Sequence, residues 1–205
     1  MKLIKTIFFS PLLCFSLCSY SANNTHIDTS RDNKAIAVTT ESKQIFMIDF
    51  REQKDVDNWR ITNDGVMGGK SKGYMLFKEG HGVFSGNISL ANNGGFSSVY
   101  RPIESLTPDI DSIIIDIQGD GLTYQLRAVA NVDGYRLTYK HEFNTTVGQR
   151  QRLQFSLADF QATFRGRLIS NAPTLKSEDI VEAGFLMTNK VAGKFSLSVN
   201  SITFK

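Results

Sequence analysis

Cysteine is nearly absent, and where it occurs it lies in an apolar N-terminal run. The chain has two, Cys14 and Cys18. With none after residue 18, internal disulfides, zinc–thiolate sites and a cysteine nucleophile are excluded from the rest of the sequence. Histidine is as scarce: His26, His81 and His141 have no metal-ligand spacing, and no H-E-x-x-H occurs. His141 falls in phase with Tyr139 and Phe143, and reads as a partly buried strand residue. A G-x-S-x-G elbow is missing. Asp49, Asp64 and Asp120 are separate in sequence and lack EF-hand spacing, so nothing marks them as general acids or calcium ligands. No sustained amphipathic helix is legible before Ala158, and no internal repeat or low-complexity tract appears. These absences disfavour an enzyme; no metal and no cofactor is expected.

What is present begins with a basic Met1-Lys2-Leu3-Ile4-Lys5, then an apolar stretch from Thr6 to Cys18 that is too short to span a bilayer comfortably. Small residues follow, with serine at −1 and −3 for cleavage after Ser21. The pattern predicts a secretory signal peptide over residues 1–21 and an exported protein of a bacterial periplasm or the extracellular space, with no transmembrane span in the mature chain. Lipidation at Cys18 is disfavoured by Leu17 before it. Residues 22–43 are polar and aperiodic and predict a flexible leader, with at most a short strand at Ala35–Val38. Removing Lys2 and Lys5 leaves 21 of the 23 basic side chains against 20 acidic ones, so strong attraction to nucleic acid is not indicated.

Residues 44–205 carry the folded domain. Ile113, Ile115 and Ile117 alternate with Ile114, Asp116 and Gln118. Leu122, Tyr124, Leu126 and Ala128 alternate with Thr123, Gln125 and Arg127. Tyr135, Leu137, Tyr139, His141 and Phe143 oppose Arg136, Thr138, Lys140 and Glu142. Phe195, Leu197 and Val199 oppose Ser196, Ser198 and Asn200. Period two at this length means antiparallel strands with one buried face. Single helical turns are expected at Leu157–Phe160 and Ser177–Glu182. Nine or ten short strands with glycine turns predict an all-β sandwich or barrel, and the 15 phenylalanines suit its core.

Two glycine loops are the candidate site. The first is Asn63-Asp64-Gly65-Val66-Met67-Gly68-Gly69-Lys70-Ser71, with Trp59, the only tryptophan, just before it; the second is Asn92-Asn93-Gly94-Gly95-Phe96. Each starts with side chains able to satisfy turn amides and then supplies paired glycines, which permit positive φ or close backbone approach. The loops are predicted to pack together at one end of the domain, with Phe84 and Gly86 beside the contact. They are read as a binding site or as structural turns. Separately, Arg127, Arg136 and Lys140 share the polar phase of adjacent strands, and Arg165 and Arg167 lie on another run; a basic, hydroxyl-rich face suits an anionic glycan, a lipid headgroup or a protein partner.

The run from Trp59 through Asn63-Asp64-Gly65-Val66-Met67-Gly68-Gly69 to Ser71 resembles the signature of the CIA30 family, complex I intermediate-associated protein 30. The resemblance continues through Phe84-x-Gly86, Asn92–Phe96, Gly119-Asp120-Gly121 with Tyr124, Phe164-Arg165-Gly166-Arg167 and Gly184-Phe185. It implies a galactose-binding-like jelly-roll β-sandwich with mostly antiparallel strands. It also implies a non-catalytic role, since mitochondrial members are assembly factors for respiratory NADH dehydrogenase. Tyr100 stands where the family often has an arginine, with Arg101 one place later, on a possible binding surface. The expectation is a protein-binding or complex-assembly factor of the cell envelope; the alternative is a carbohydrate-binding module of the β-sandwich type, which needs an exposed aromatic ring among Trp59, Tyr74 and Tyr100.

Overall fold

The computed structural model describes residues 44–164 and 166–205. The signal peptide expected over residues 1–21, the leader expected over 22–43, the strand expected at Ala35–Val38 and Arg165 lie outside the described residues. Thirteen strands run in order: β1 (Phe46–Asp49), β2 (Arg60–Asn63), β3 (Lys72–Lys78), β4 (His81–Ile88), β5 (Ser97–Pro102), β6 (Ser112–Gln118), β7 (Thr123–Val132), β8 (Tyr135–Asn144), β9 (Arg150–Ser156), β10 (Gln161–Phe164), β11 (Arg167–Leu168), β12 (Ile180–Met187) and β13 (Gly193–Phe204). They form two antiparallel sheets. The six-stranded sheet has the order β3-β4-β13-β6-β9, with β1 also paired to β13. The seven-stranded sheet has the order β11-β10-β8-β7-β12-β5-β2. This is a jelly-roll β-sandwich.

Alternation explains why the sheets face each other. On β7 and β8 the inward set, Tyr124, Leu126, Ala128, Tyr139 and Phe143, is buried. It meets Phe84, Ile115, Ile117, Phe195 and Leu197 from the six-stranded sheet in one core. Phe84 and Phe195 pack edge to face at 4.9 Å, and Phe143 meets Phe185 at 6.2 Å. Each such ring contributes roughly 1.5–3 kcal/mol by leaving water. Tyr124 keeps its hydroxyl satisfied by donating to Asp120 at 3.0 Å. His141 is half-buried, its ring 4.5 Å from that of Phe155.

Three expectations need correction. The helical turn at Ser177 ends at Asp179, and residues 180–182 open β12, a central strand. A register shift between Ile180 and Glu182 breaks its alternation. Tyr135 belongs by phase with the buried set but is 73% exposed, because it follows the tight Asp133-Gly134 turn at the sheet's end. Among the described residues the strand count rises to thirteen, because β2, β10 and β11 have only two to four residues each, too short for a period to show, and because β12 is irregular.

Candidate functional site

Asp64 opens a single 3-10 turn, Asp64–Met67, directly after β2. Its side chain is fully buried, and its carboxylate gathers amides from both glycine loops. Oδ1 accepts the Ser71 N–H at 2.9 Å; Oδ2 accepts the N–H groups of Gly95 at 2.6 Å and Phe96 at 3.4 Å. Asn92 donates its side-chain amide to the Gly68 carbonyl at 2.9 Å. Asn63 Oδ1 accepts from the Gly73 N–H at 3.0 Å and the Ser97 hydroxyl at 2.7 Å. Ser71, also buried, takes the Ser89 N–H at 2.9 Å and donates its hydroxyl to the Ser89 carbonyl. The two loops are therefore one knot, tying β2 and β5 of one sheet to β3 and β4 of the other. Gly86 sits at this seam, since a Cβ there would meet the Lys72 carbonyl oxygen at 2.0 Å; Phe84 points into the core.

The glycines of the knot have different reasons. A Cβ on Gly69 would fall 2.3 Å from Asp64 Cγ, and one on Gly94 would fall 2.5 Å from Asp64 Oδ2. Gly68 has open space but φ of +85°, which L side chains rarely adopt. Gly65 meets neither constraint. Asn92 and Asn93 each hold φ of 57°, the left-handed conformation asparagine tolerates best after glycine. Burial pushes the Asp64 carboxyl upward, but hydrogen bonds from Ser71, Gly95 and Phe96 outweigh it and hold the group below the usual carboxylate range. Its charge is locked in place and serves the loops. At the tip of this rigid unit Val66 and Met67 stand exposed.

The second region is the outward face of the seven-stranded sheet. Strand register places Arg60, Tyr100, Gly184, Arg127, Lys140 and Gln161 in one row across β2, β5, β12, β7, β8 and β10. Tyr100 is half-buried, and the Arg60 guanidinium lies 5.7 Å over its ring. Next to Tyr100, Gly184 has no room for a side chain, since a Cβ there would fall 1.9 Å from the Val99 carbonyl oxygen. Thr62, Ser98, Gln125 and Glu142 form much of the adjacent row. Glu182 pairs with both Arg60 at 3.1 Å and Arg136 at 2.8 Å; Lys140 pairs with Glu142 at 2.9 Å. A groove of about 300 Å³ ends the face among Thr123, Gln125, Glu142, Thr188, Asn189 and Lys190. A hollow of about 400 Å³ lies at the other end of β12, beside Leu157 and Leu175.

Of the five arginines singled out in the sequence, Arg127 and Arg136 are placed on this face by the described register. Arg101 pairs with Ala183, in the inward phase, and burial pushes its guanidinium below the ordinary arginine range. Arg167 pairs with Phe164 and is exposed at the sheet's edge. Trp59 is core, stacked on Phe50 at 5.8 Å. Tyr74 is 51% exposed on β3, whereas Tyr100, on the other sheet, is half-buried beneath Arg60. Sequence reasoning missed Arg60, Glu182 and Gly184, because their juxtaposition depends on β12. Among the described residues no group of three or more His, Cys, Asp or Glu gathers, and no helix is long and apolar enough to cross a membrane.

The sequence profile described as complex I intermediate-associated protein 30 (CIA30) matches residues 48–199, which span both regions. The chain belongs to the CIA30 family. Solved structures extend the likeness at the level of fold. The family 11 carbohydrate-binding module of a cellulosomal cellulase of Clostridium thermocellum superposes with a TM-score of 0.59 at 16% identity, covering 80% of this chain and 95% of the module. The same family's module from Clostridium thermocellum in complex with a β-1,3-1,4-mixed-linked tetrasaccharide gives 0.58 at 16% identity, covering 80% and 96%. The solution structure of CtCBM11 gives 0.50 at 12% identity, covering 80% and 96%. This CIA30 domain thus shares its fold with non-catalytic carbohydrate-binding modules.

Proposed function

We propose that the domain is a non-catalytic binding module that takes a glycan on the outward face of its seven-stranded sheet. The row Arg60, Tyr100, Gly184, Arg127, Lys140 and Gln161 carries this reading. It combines a half-buried aromatic ring with flanking hydrogen-bond donors, which is the chemistry that holds a sugar: stacking on the ring and directional bonds to hydroxyls. The likeness in fold to carbohydrate-binding modules supports the same reading.

The second reading is a protein-binding or complex-assembly factor of the cell envelope. It is favoured by the family description and by Val66 and Met67, apolar and 76% and 66% exposed on a rigid loop. A glycan array probed in parallel with affinity pull-down from an envelope extract separates the two. Glycan binding lost on Tyr100→Ala supports the first; a stable protein partner lost on Met67→Ser, with no glycan signal, overturns it in favour of the second. Export through residues 1–21 belongs to both proposals, and the N-terminus of the secreted protein, read by mass spectrometry, tests it.

A further inference from the structure

The outward face holds a cation with no ion pair of its own among the described residues. Its outward strand positions carry four cations, Arg60, Arg127, Arg136 and Lys140, and two carboxylates, Glu142 and Glu182. Both carboxylates are taken: Glu182 by Arg60 and Arg136, Glu142 by Lys140. Arg127 has no ion pair among the described residues. It is only 8% exposed, although its neighbours Leu126 and Ala128 show that it points away from the core. Its Nη1 donates to the Thr163 hydroxyl at 3.3 Å, and that hydroxyl is itself committed to the Thr138 carbonyl. Its Nε–H is sealed from water with no acceptor.

A desolvated guanidinium is costly to keep unless something of opposite charge completes it. Burial already pushes Arg127 below the ordinary arginine range, with Tyr100 and Glu142 opposing that shift only in part. The unused side of the fork is the Nε edge, the edge on which guanidinium takes an oxyanion side-on through two parallel bonds. Two strands away in the same row, across Gly184, lies the half-buried ring of Tyr100, which a sugar can stack on.

We propose that Arg127 seats an acidic group, carboxylate or sulfate, carried by the bound glycan, so that the domain selects acidic over neutral polysaccharides. This rests on the glycan reading above. Seating the oxyanion on the Nε edge requires the cover over Nε to shift, and completes a fork that Thr163 leaves half-used.

The test is binding of the purified protein to a uronate polymer (polygalacturonate), a sulfated galactan (carrageenan) and a neutral mixed-linked β-glucan, by affinity electrophoresis and calorimetry. Preference of at least tenfold for either acidic polymer is expected, weakening as salt is raised; which of the two is bound identifies the acid. Arg127→Gln should abolish the preference while leaving the melting temperature near wild type, and Arg127→Lys should retain part of it. If Arg127→Gln proves unstable, the salt dependence of wild type and the Lys variant decide. Equal or stronger binding of the neutral polymer overturns the acidic specificity and leaves the glycan reading standing. Binding of none of these and of no glycan on the array overturns both.

Discussion

Asp64 Oδ2 accepts the Gly95 N–H at 2.6 Å across 31 residues of chain, and through that bond two loops become one structural unit. Removing the carboxylate leaves the Ser71, Gly95 and Phe96 amides without their acceptor in a buried seam. Asp64→Ala is expected to cost about 3 kcal/mol, since bonds to charged groups are worth about 1.5–3 kcal/mol each and orphaned donors add a penalty. Gly65→Ala, in open space on the same turn, should change stability by less than about 0.5 kcal/mol. Chemical denaturation of both variants checks this; equal losses would show that the loop, and not the carboxylate, is what matters.

Adjacent glycines fail differently. Gly68 needs its positive φ, so Gly68→Ala should cost about 1 kcal/mol, and Gly68→Asn, which tolerates that conformation, should recover most of it. Gly69 needs absence of a Cβ, because Asp64 Cγ would lie 2.3 Å away. Gly69→Ala should therefore cost more than about 2 kcal/mol, and asparagine should be no better. Thermal melts of the four variants give the comparison, and rescue of position 69 by asparagine would contradict it.

Acid should loosen the knot. Hydrogen bonds hold the folded Asp64 carboxyl below its unfolded value near 4. A depressed folded pKa contributes stability that is complete above the unfolded pKa and is lost as pH falls toward the folded one. Wild type should lose melting temperature below about pH 4, and Asp64→Asn should show a shallower decline there. Parallel curves for the two would remove Asp64 from the acid response.

Of the rings the sequence offered for stacking, Tyr74 and Tyr100 lie on different sheets, and only Tyr100 belongs to the proposed face. Tyr100→Ala should weaken glycan binding by about tenfold, roughly 1.4 kcal/mol, while Tyr74→Ala leaves it unchanged. The opposite result would move the site to the six-stranded sheet.

Sequence periodicity located β6, β7, β8 and β13 because large apolar residues recur at every second position on their core faces, even where, as on β6, the other face is also covered. Strand β12 escaped because Ile180-Val181-Glu182 carries a register shift, and because Gly184 removes a side chain from the polar phase. With β12 hidden, the alignment of Tyr100 with Arg127 was hidden too, since β12 is the strand between them. The glycine loops were legible as turns that satisfy their own amides. That a single carboxylate serves both was not, because Ser71, Gly95 and Phe96 reach it from positions no local pattern connects. Trp59 stood out by rarity, yet its ring is core. Asp116 sat in the polar phase of β6 and is nonetheless buried, because Arg150 closes over it through two 2.7 Å bonds.

Strand β13 is the spine of the six-stranded sheet, with β1 and β4 along one side and β6 on the other. Phe46, in the first strand, pairs with Phe204, so the sheet's earliest and latest segments are neighbours. A nascent chain holding β1, β3, β4, β6 and β9 has no partner to join them until Phe204 has been made. Closure of this sheet is therefore a late event that waits on long-range contacts. Under the export proposed above, late closure of this sheet would leave the chain open for threading across a membrane before it folds.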